Sequence, residues 1–271
     1  MICSNCSHNC DLTGGATGLC HARSEKDGRI VCDNYGYVTS LALDPIEKKP
    51  LAMFRPGSRI LSAGSYGCNM RCMWCQNDSI SRGYVPADCL SPDELVDIAI
   101  RNINRGNIGI AYTYNEPSVG FEFVLDCSRL AKQNSLVNVM VTNGMLCRER
   151  FDELLGYTDA YNIDIKTSSA SKYERIGGDL SLITDNIRSA HGHGAHVELT
   201  TLVVPGFNDD EDDIRAIIDL IADTDRRIPL HLTRFFPAGD MRDASPTPLD
   251  TLYRFRDMAV QKLENVFLGN V

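Results

Sequence analysis

The chain has 271 residues, 43% hydrophobic and 23% charged, so it is long enough to bury one large core. Its formal net charge of -9 disfavours nonspecific attraction to nucleic acid, although a local basic groove for RNA is not excluded. No apolar run has the length of a membrane span, and the N-terminus lacks an apolar signal core. We therefore expect a cytosolic protein without membrane contact.

The pattern of residues along the chain predicts two regions. Residues 1–57 have little apolar periodicity and many cysteine, glycine and turn residues, which is typical of a small lobe held together by metal. From residue 58 to 271, short β-rich runs alternate with amphipathic segments, as in repeated βα units. The sequence therefore predicts an α/β fold with a partial or complete (β/α) barrel over 58–271 and a Cys-rich lobe over 1–57. Chemistry is expected at the C-terminal ends of the strands.

The individual elements follow from the same alternation. The predicted strands are RILSAGS, GIAYTY, LVNVMVT, AYNIDI, HVELTTLVV, PLHLTRF and NVFLG. The predicted helices are SPDELVDIAIRNINR, SVGFEFVLDCSRLAKQ, DEDDIRAIIDLIAD and PLDTLYRFRDMAVQKL. Ser91 can cap the first of these helices, with Glu94 three positions later. The run HGHGAH is expected to be a turn between a helix and a strand, because its glycines suit a helix end better than a metal site.

Eleven cysteines are many for a reducing compartment, where clustered thiols more often bind metal than form disulfides. The first cluster is Cys3, Cys6, Cys10 and Cys20. Four thiolates suffice for a closed zinc site or for a second, fully ligated iron-sulfur cluster, and the spacing does not choose between them. The scattered Cys89, Cys127 and Cys147 are expected to be buried apolar thiols.

The second cluster follows directly on the first predicted βα strand. The segment GCNMRCMWCQN places Cys68, Cys72 and Cys75 on one tight loop. Three thiolates leave one iron of a 4Fe-4S cluster open to an exogenous ligand. A structural zinc site normally has four protein ligands, so the motif favours an iron-sulfur cluster.

CxxxCxxC with an aromatic residue, Trp74, before the last cysteine resembles the signature of the radical S-adenosylmethionine (SAM) superfamily. The similarity extends over nearly the whole chain to AmmeMemoRadiSam-type proteins, which are relatives of pyruvate formate-lyase (glycyl-radical-enzyme) activating enzymes. It is carried by LDPIEKKPLAMFRPGSRILSAGSYGCNMRCMWCQN, AYTYNEP, VTNG, NIDIK, TLVVPGFND, RIPLHLTRFFP and FLGNV.

The resemblance implies that a 4Fe-4S cluster cleaves SAM reductively to methionine and a 5′-deoxyadenosyl radical. The radical would abstract hydrogen from a small-molecule or protein substrate. An electron donor such as flavodoxin or ferredoxin would supply the reducing equivalent.

Roles for individual residues follow from their positions in the resembling segments. Glu116 corresponds to the glutamate of a Gly-Gly-Glu segment that receives the methionine ammonium, although a solvated helix-start residue is an alternative. Lys166 is expected to approach the cofactor carboxylate, with an ion pair to Asp164 as the alternative. The cofactor-binding candidates are Tyr66, Asn69, Trp74, Asn115, Glu116, Thr142, Asn143, Asp164, Lys166, Thr200 and Val203.

His231 is a candidate proton donor or substrate contact, and a satisfied core histidine is the alternative. Two other functions stay open: a glycyl-radical-enzyme activator, and a non-catalytic iron-sulfur electron-transfer or scaffold protein. The extra cysteines precede the CxxxCxxC loop, and Asn115–Glu116 replaces Gly-Gly-Glu. Both features favour an enzyme with a different substrate over an activator.

Overall fold

The computed structural model describes residues 1–271. The strands are β1 (Arg23–Lys26), β2 (Arg29–Cys32), β3 (Tyr37–Val38), β4 (Ser40–Pro45), β5 (Arg59–Gly64), β6 (Asp88–Cys89), β7 (Asn107–Tyr112), β8 (Val137–Thr142), β9 (Ala160–Asp164), β10 (His196–Val203), β11 (Leu230–Arg234) and β12 (Val266–Gly269). The helices are α1 (Asp78–Ser81), α2 (Pro92–Arg101), α3 (Phe121–Gln133), α4 (Arg148–Leu155), α5 (Ala170–Arg175), α6 (Leu180–His193), α7 (Glu211–Asp225) and α8 (Leu249–Ala259). None of them combines the length and apolarity needed to cross a membrane.

Eight strands form one main sheet in the order β12-β11-β10-β9-β8-β7-β5-β4. Every neighbouring pair from β5 to β12 is parallel, and these seven strands are the seven that the sequence predicts. The sheet is open between β12 and β4, and the α/β partial-barrel prediction is confirmed.

The edge strand β4 was not predicted, and it pairs antiparallel with β5 over its whole length. It lies before residue 58, so the expected boundary between residues 57 and 58 does not coincide with the start of the main sheet. The sequence signal was weak because β4 alternates incompletely and is only half-buried along most of its length. The remaining N-terminal strands form two small pairings, a β1–β2 hairpin turned by Asp27 and Gly28 and a β3–β6 pair.

The helices cover the outer face of the sheet through apolar stripes. In α2, Leu95, Val96 and Ala99 are buried, and the predicted capping box between Ser91 and Glu94 is present at its start. The predicted turn at HGHGAH is also confirmed, since α6 ends at Gly194 in the left-handed conformation.

A second apolar cluster fills the inside of the partial barrel. We call residues 46–54 the inner segment, because Ile46 and Leu51 are fully buried there against Ile60 and Val139 of the sheet. The segment is also held by polar contacts. The Pro50 carbonyl accepts from Asn162 Nδ2 at 2.8 Å, and two consecutive backbone N–H groups donate to the Glu198 carboxylate at 2.9 and 2.8 Å. The inner segment thus fills the interior of the open barrel, below the C-terminal ends of the strands.

Candidate functional site

A cavity of about 430 Å³ opens at the C-terminal ends of the strands. Three thiols and eight of the eleven candidate cofactor residues line it: Cys68, Cys72, Cys75, Trp74, Asn115, Glu116, Thr142, Asn143, Asp164, Lys166 and Thr200. These side chains come from loops after four successive parallel strands and from β10, so the parallel topology brings together residues more than 100 positions apart.

The cysteine loop is fixed by backbone contacts on two sides. Gly67 has φ +91°, and a Cβ there would lie 2.5 Å from the Cys20 carbonyl oxygen, so this position requires glycine. The next residue, Cys68, donates its N–H to the same oxygen at 3.2 Å. On the other side, Asn69 accepts from Asn143 Nδ2 at 2.8 Å and donates to the Met145 carbonyl at 3.0 Å. Contacts on both sides therefore hold the loop in this conformation.

The three thiols suit a cluster better than a single ion. The thiols of Cys68, Cys72 and Cys75 all line one cavity, and neither these three nor Cys3, Cys6, Cys10 and Cys20 are arranged around one metal ion. In a cubane each thiolate binds a different iron, so the sulfurs stand farther apart than around one ion. Burial raises the pKa values of the Cys68 and Cys72 thiols, and a positively charged metal centre favours their thiolate forms.

Glu116 is buried at the edge of this cavity and is not a solvated residue. Its carboxylate accepts from Thr142 Oγ1 at 2.6 Å, from Asn143 N at 2.7 Å and from Ser118 N at 3.0 Å. A carboxylate has about four acceptor positions, so one remains. Burial raises the pKa of Glu116, and these hydrogen bonds oppose that shift. An ammonium group at the remaining position would favour the ionised form.

Lys166 and Asp164 form the ion pair that the sequence left as an alternative, with Nζ and Oδ2 separated by 2.9 Å. Both nevertheless line the cavity, and Lys166 lies near Cys72. Burial is the largest single effect and would lower the pKa of Lys166, but the charges of Asp164 and Cys72 and the hydrogen bond to Asp164 together outweigh it and raise that pKa. The ammonium therefore stays charged beside the thiols, where an anionic group could bind it.

Three candidate cofactor residues do not reach the cavity. Val203 is fully buried in the core, because side chains alternate along β10 and Thr200 and Leu202 face the cavity instead. Tyr66 points away and donates from its hydroxyl to the Asp33 carbonyl at 2.9 Å. Asn69 supports the cysteine loop from behind. Tyr66, Asn69 and Val203 therefore lie outside the cavity lining, and their assignment to the cofactor stays a prediction.

His231 is the satisfied core histidine that the sequence left as an alternative. Its Nε2 lies 2.6 Å from Glu198 Oε2, and its ring stacks on Phe267 with centroids 5.2 Å apart. Glu198 also contacts His196 Nε2 at 2.8 Å. His231 does not line the cavity, so its proposed role as proton donor or substrate contact is not supported by its position.

The N-terminal cysteines adjoin the cysteine loop. Cys3 and Cys20 are buried and Cys6 and Cys10 half-buried. Burial raises the pKa of Cys6 to about 11, and Cys20 and Cys10 lie close enough to affect it. The lobe contacts the loop again through His8, whose Nε2 lies 2.7 Å from the Asn69 carbonyl oxygen. Among the scattered cysteines, Cys127 is buried as expected, whereas Cys147 is half-buried and Cys89 is exposed at the end of β6, which corrects the expectation for those two.

Sequence reasoning missed one wall of the cavity. Lys48, Lys49 and Pro50 of the inner segment line it together with Tyr114. A signal was present, because two adjacent lysines lie between the apolar residues Ile46 and Leu51. The pattern could not show that this stretch folds into the barrel.

A sequence model of the Radical SAM superfamily matches residues 63–221. The chain belongs to the radical SAM superfamily. The match begins in β5 and includes the cysteine loop, Glu116 and Lys166, so the resemblance to this superfamily is confirmed. Its members use a 4Fe-4S cluster and SAM, and these are the cofactors of this radical SAM protein.

The proteins similar in sequence to this radical SAM protein carry names that state different activities or none. An uncharacterised protein of Methanocaldococcus jannaschii is 40% identical over 99% of this chain and 81% of its own length. A GTP 3′,8-cyclase of Peptoclostridium acidaminophilum is 31% identical over 63% of this chain and 53% of its own length. The pyruvate formate-lyase 1-activating enzyme of Escherichia coli K12 is 26% identical over 58% of this chain and 65% of its own length. The predicted relationship to such activators is confirmed.

Solved structures share the fold. A radical SAM methyltransferase from Sphaerobacter thermophilus has a TM-score of 0.60 at 14% identity, covering 80% of this chain and 67% of its own. A domain of a pyruvate-formate lyase-activating enzyme from Bacteroides vulgatus has a TM-score of 0.52 at 19% identity, covering 60% of this chain and 99% of its own. At these identities the likeness concerns the fold alone.

Proposed function

We propose that this protein is a radical enzyme that cleaves SAM reductively to methionine and a 5′-deoxyadenosyl radical, which abstracts hydrogen from a further substrate. The observation that carries the proposal is that Cys68, Cys72, Cys75, Glu116 and Lys166 line one cavity at the strand ends. When bound, the cluster supplies the electron for this cleavage, delivered by a flavodoxin- or ferredoxin-type donor.

The residues of the chain have separate tasks in this proposal. Cys68, Cys72 and Cys75 hold the cluster and leave one iron for the cofactor. The remaining acceptor position of Glu116 binds the cofactor ammonium, and Lys166 binds its carboxylate. Both contacts join opposite charges in a buried place, where charge-assisted hydrogen bonds are strong.

Substitution at either end of the cofactor tests these assignments. Glu116→Gln and Lys166→Ala are expected to weaken SAM binding by about 10- to 100-fold, because each removes a charged hydrogen-bond partner worth roughly 1.5–3 kcal/mol. Equilibrium dialysis with the anaerobically reconstituted protein measures the affinity, and iron content verifies that the cluster is assembled. Lys172→Ala is the matched control, since Lys172 pairs with Asp210 and Asp213 and does not line the cavity. Unchanged affinity in both test variants would refute the assignments.

We further propose that Cys3, Cys6, Cys10 and Cys20 bind metal that stabilises the N-terminal lobe. Support comes from the proximity of the four thiols and from the few apolar residues of the lobe. The thiols are not arranged around one ion, so a zinc site would require them to move closer together on binding. The lobe supports the cysteine loop through the Cys20 carbonyl, so metal there would also stabilise the site.

Metal analysis of a variant that lacks Cys68, Cys72 and Cys75 tests this second site. Residual zinc of about one per chain is expected for a closed structural site, and residual iron of about four for a further cluster. Removing Cys3 and Cys6 as well should abolish the residual metal. A folded lobe without either metal would contradict the proposal.

A further inference from the structure

One wall of the cavity carries a buried lysine that the proposed cofactor contacts do not use. Lys49 is only 3% exposed, and its Nζ lies 3.0 Å from Asp44 Oδ2 on the edge strand β4. The hydroxyl of Tyr114 donates to the same oxygen at 2.9 Å, and the ammonium lies 4.7 Å from the centroid of the Tyr114 ring. Asp44 and Tyr114 thus hold the Lys49 ammonium group at the cavity wall.

The backbone conformation of Tyr114 is energetically unfavourable. This distinguishes the group of Lys49, Asp44 and Tyr114 from an ordinary surface ion pair. Tyr114 has φ +73°, a conformation that non-glycine residues rarely adopt. Gly64 makes room for its ring, because a Cβ at Gly64 would lie 2.7 Å from Tyr114 Cδ2. Strained residues that persist in native structures cluster at binding sites. Two positions of the chain are therefore adapted to keep this ring against Lys49.

Lys49 belongs to a different end of the cavity from Lys166. The charged groups near Lys49 are Asp44 and Lys48, whereas Lys166 lies beside Asp164 and Cys72. Asp44 lies on β4 and Asp164 on β9, and three strands separate these two in the sheet. The proposed function assigns Lys166 to the cofactor. Lys49 is therefore available to contact the substrate.

The charge of this wall identifies the chemical class of that ligand. Lys48 also lines the cavity, and Asp44 is the carboxylate that neutralises part of the pair's charge. At this end of the cavity two lysines against one aspartate leave one positive charge, whereas Glu116, Asp164 and Lys166 carry the charges at the other end. An excess cation beside a half-enclosed cavity attracts an anionic group and repels a cationic one.

We propose that Lys49, with Lys48 beside it and Asp44 and Tyr114 holding it in place, is the recognition site for a negatively charged group, carboxylate or phosphate, on the substrate. This inference rests on the proposed function for the division of the cavity between cofactor and substrate. The anion competes with Asp44 for the Lys49 ammonium, and Asp44 holds the lysine in place until the substrate arrives.

Small anions can test this site without a known substrate. Inorganic phosphate and acetate are titrated into the reconstituted, SAM-saturated protein, and binding is followed by phosphorus and carbon NMR line widths. Methyl acetate is the uncharged comparison. Lys49→Met should weaken binding of at least one anion by about 10-fold or more, because a charged partner is lost. Asp44→Asn should strengthen it, because the competing carboxylate is gone while Lys49 remains. The anion whose affinity changes in these variants indicates whether the substrate carries a phosphate or a carboxylate group.

Lys49→Met is expected to weaken anion binding and Asp44→Asn to strengthen it. If Lys49 and Asp44 formed only a structural ion pair, neither variant would change the anion affinity in this way. Lys132→Met is the matched control, since Lys132 also pairs with one aspartate but lies outside the cavity, and it should leave anion binding unchanged. If Lys49→Met does not fold, the inference is tested by Asp44→Asn alone, which should bind the anion more tightly than the wild-type protein.

Equal anion affinity in the wild-type protein and both variants would overturn the inference. It would also be overturned if Lys49→Met lost affinity for SAM while anion binding stayed the same. The titration needs no turnover, whereas failure of the proposed function would appear as absent 5′-deoxyadenosine formation by the wild-type protein.

Discussion

Replacing Cys68, Cys72 or Cys75 with alanine is expected to abolish formation of 5′-deoxyadenosine from SAM. Each thiol holds one iron in the proposed cluster, and the remaining two cannot keep the cubane and its open iron in place. The three thiols face the same cavity as Glu116 and Lys166, so loss of the cluster would also remove the iron beside the contacts proposed for SAM. The measurement is anaerobic incubation of reconstituted protein with dithionite and SAM, followed by chromatography of the products.

Cys127→Ala provides the matched control for this experiment. Cys127 is fully buried in the core and lies outside the cavity, so its replacement removes a sulfur without touching the cluster. Product formation should persist in that variant. Undiminished SAM cleavage in any of the three loop variants would refute the assignment of the cluster ligands.

Glu198→Ala is expected to destabilise the protein by about 3 kcal/mol or more, because it leaves several buried hydrogen-bond donors unpaired at a cost of about 1–3 kcal/mol each. The Glu198 side chain is fully buried and contacts His196, His231 and two backbone N–H groups of the inner segment. Its removal leaves all of these without an acceptor. Since whole domains are stable by only about 5–15 kcal/mol, the loss should be evident in denaturant unfolding of the apo protein.

A surface glutamate gives the comparison. Glu153 forms an ion pair with Arg129 in which both side chains are more than 40% exposed, so Glu153→Ala should cost about 0–1 kcal/mol. Equal stability of the Glu198 and Glu153 variants would contradict the role of Glu198 as the anchor of the inner segment.

The same carboxylate predicts how stability depends on pH. Burial alone would raise the pKa of Glu198, but its hydrogen bonds to the two histidines and the backbone outweigh burial and lower that pKa to about 2. A lowered native pKa stabilises the fold above the unfolded value, near 4.3. This stabilisation should decline as the pH falls from about 4.3 toward about 2, and the decline should be smaller in a Glu198→Gln variant.

The main elements were predictable because their patterns are local. All seven parallel strands follow from short β-rich runs, and Ser91 with Glu94 marked the start of α2. β4 was missed because its pairing with β5 depends on a partner 14 or more residues away rather than on its own alternation. The inner segment was missed for a similar reason: its burial comes from surrounding strands, and Lys48 and Lys49 make it appear exposed.

The site was predictable to the level of segments. Parallel strands bring their C-terminal ends to one edge, so naming the segments after them also named most of the cavity lining. Which side chain within a segment faces inward depends on register, and the side chains of Val203 and Tyr66 do not line the cavity. Lys166 illustrates a different limit, because the same two-residue spacing that places it beside Asp164 suits both an ion pair and a cofactor contact.

The inner segment has a consequence for the order in which the molecule assembles. Its polar contacts to Asn162 and Glu198 join positions 112 to 146 residues apart in the chain. Long-range contacts of this kind form slowly, because chain closure must be completed before they contribute. During synthesis, Lys49 leaves the ribosome before β9 and β10 have been made. The inner segment therefore cannot form its contacts with Asn162 and Glu198 until later. We expect the cavity wall to be among the last parts to become ordered, and a nascent chain that ends before β10 to lack a complete chamber for SAM.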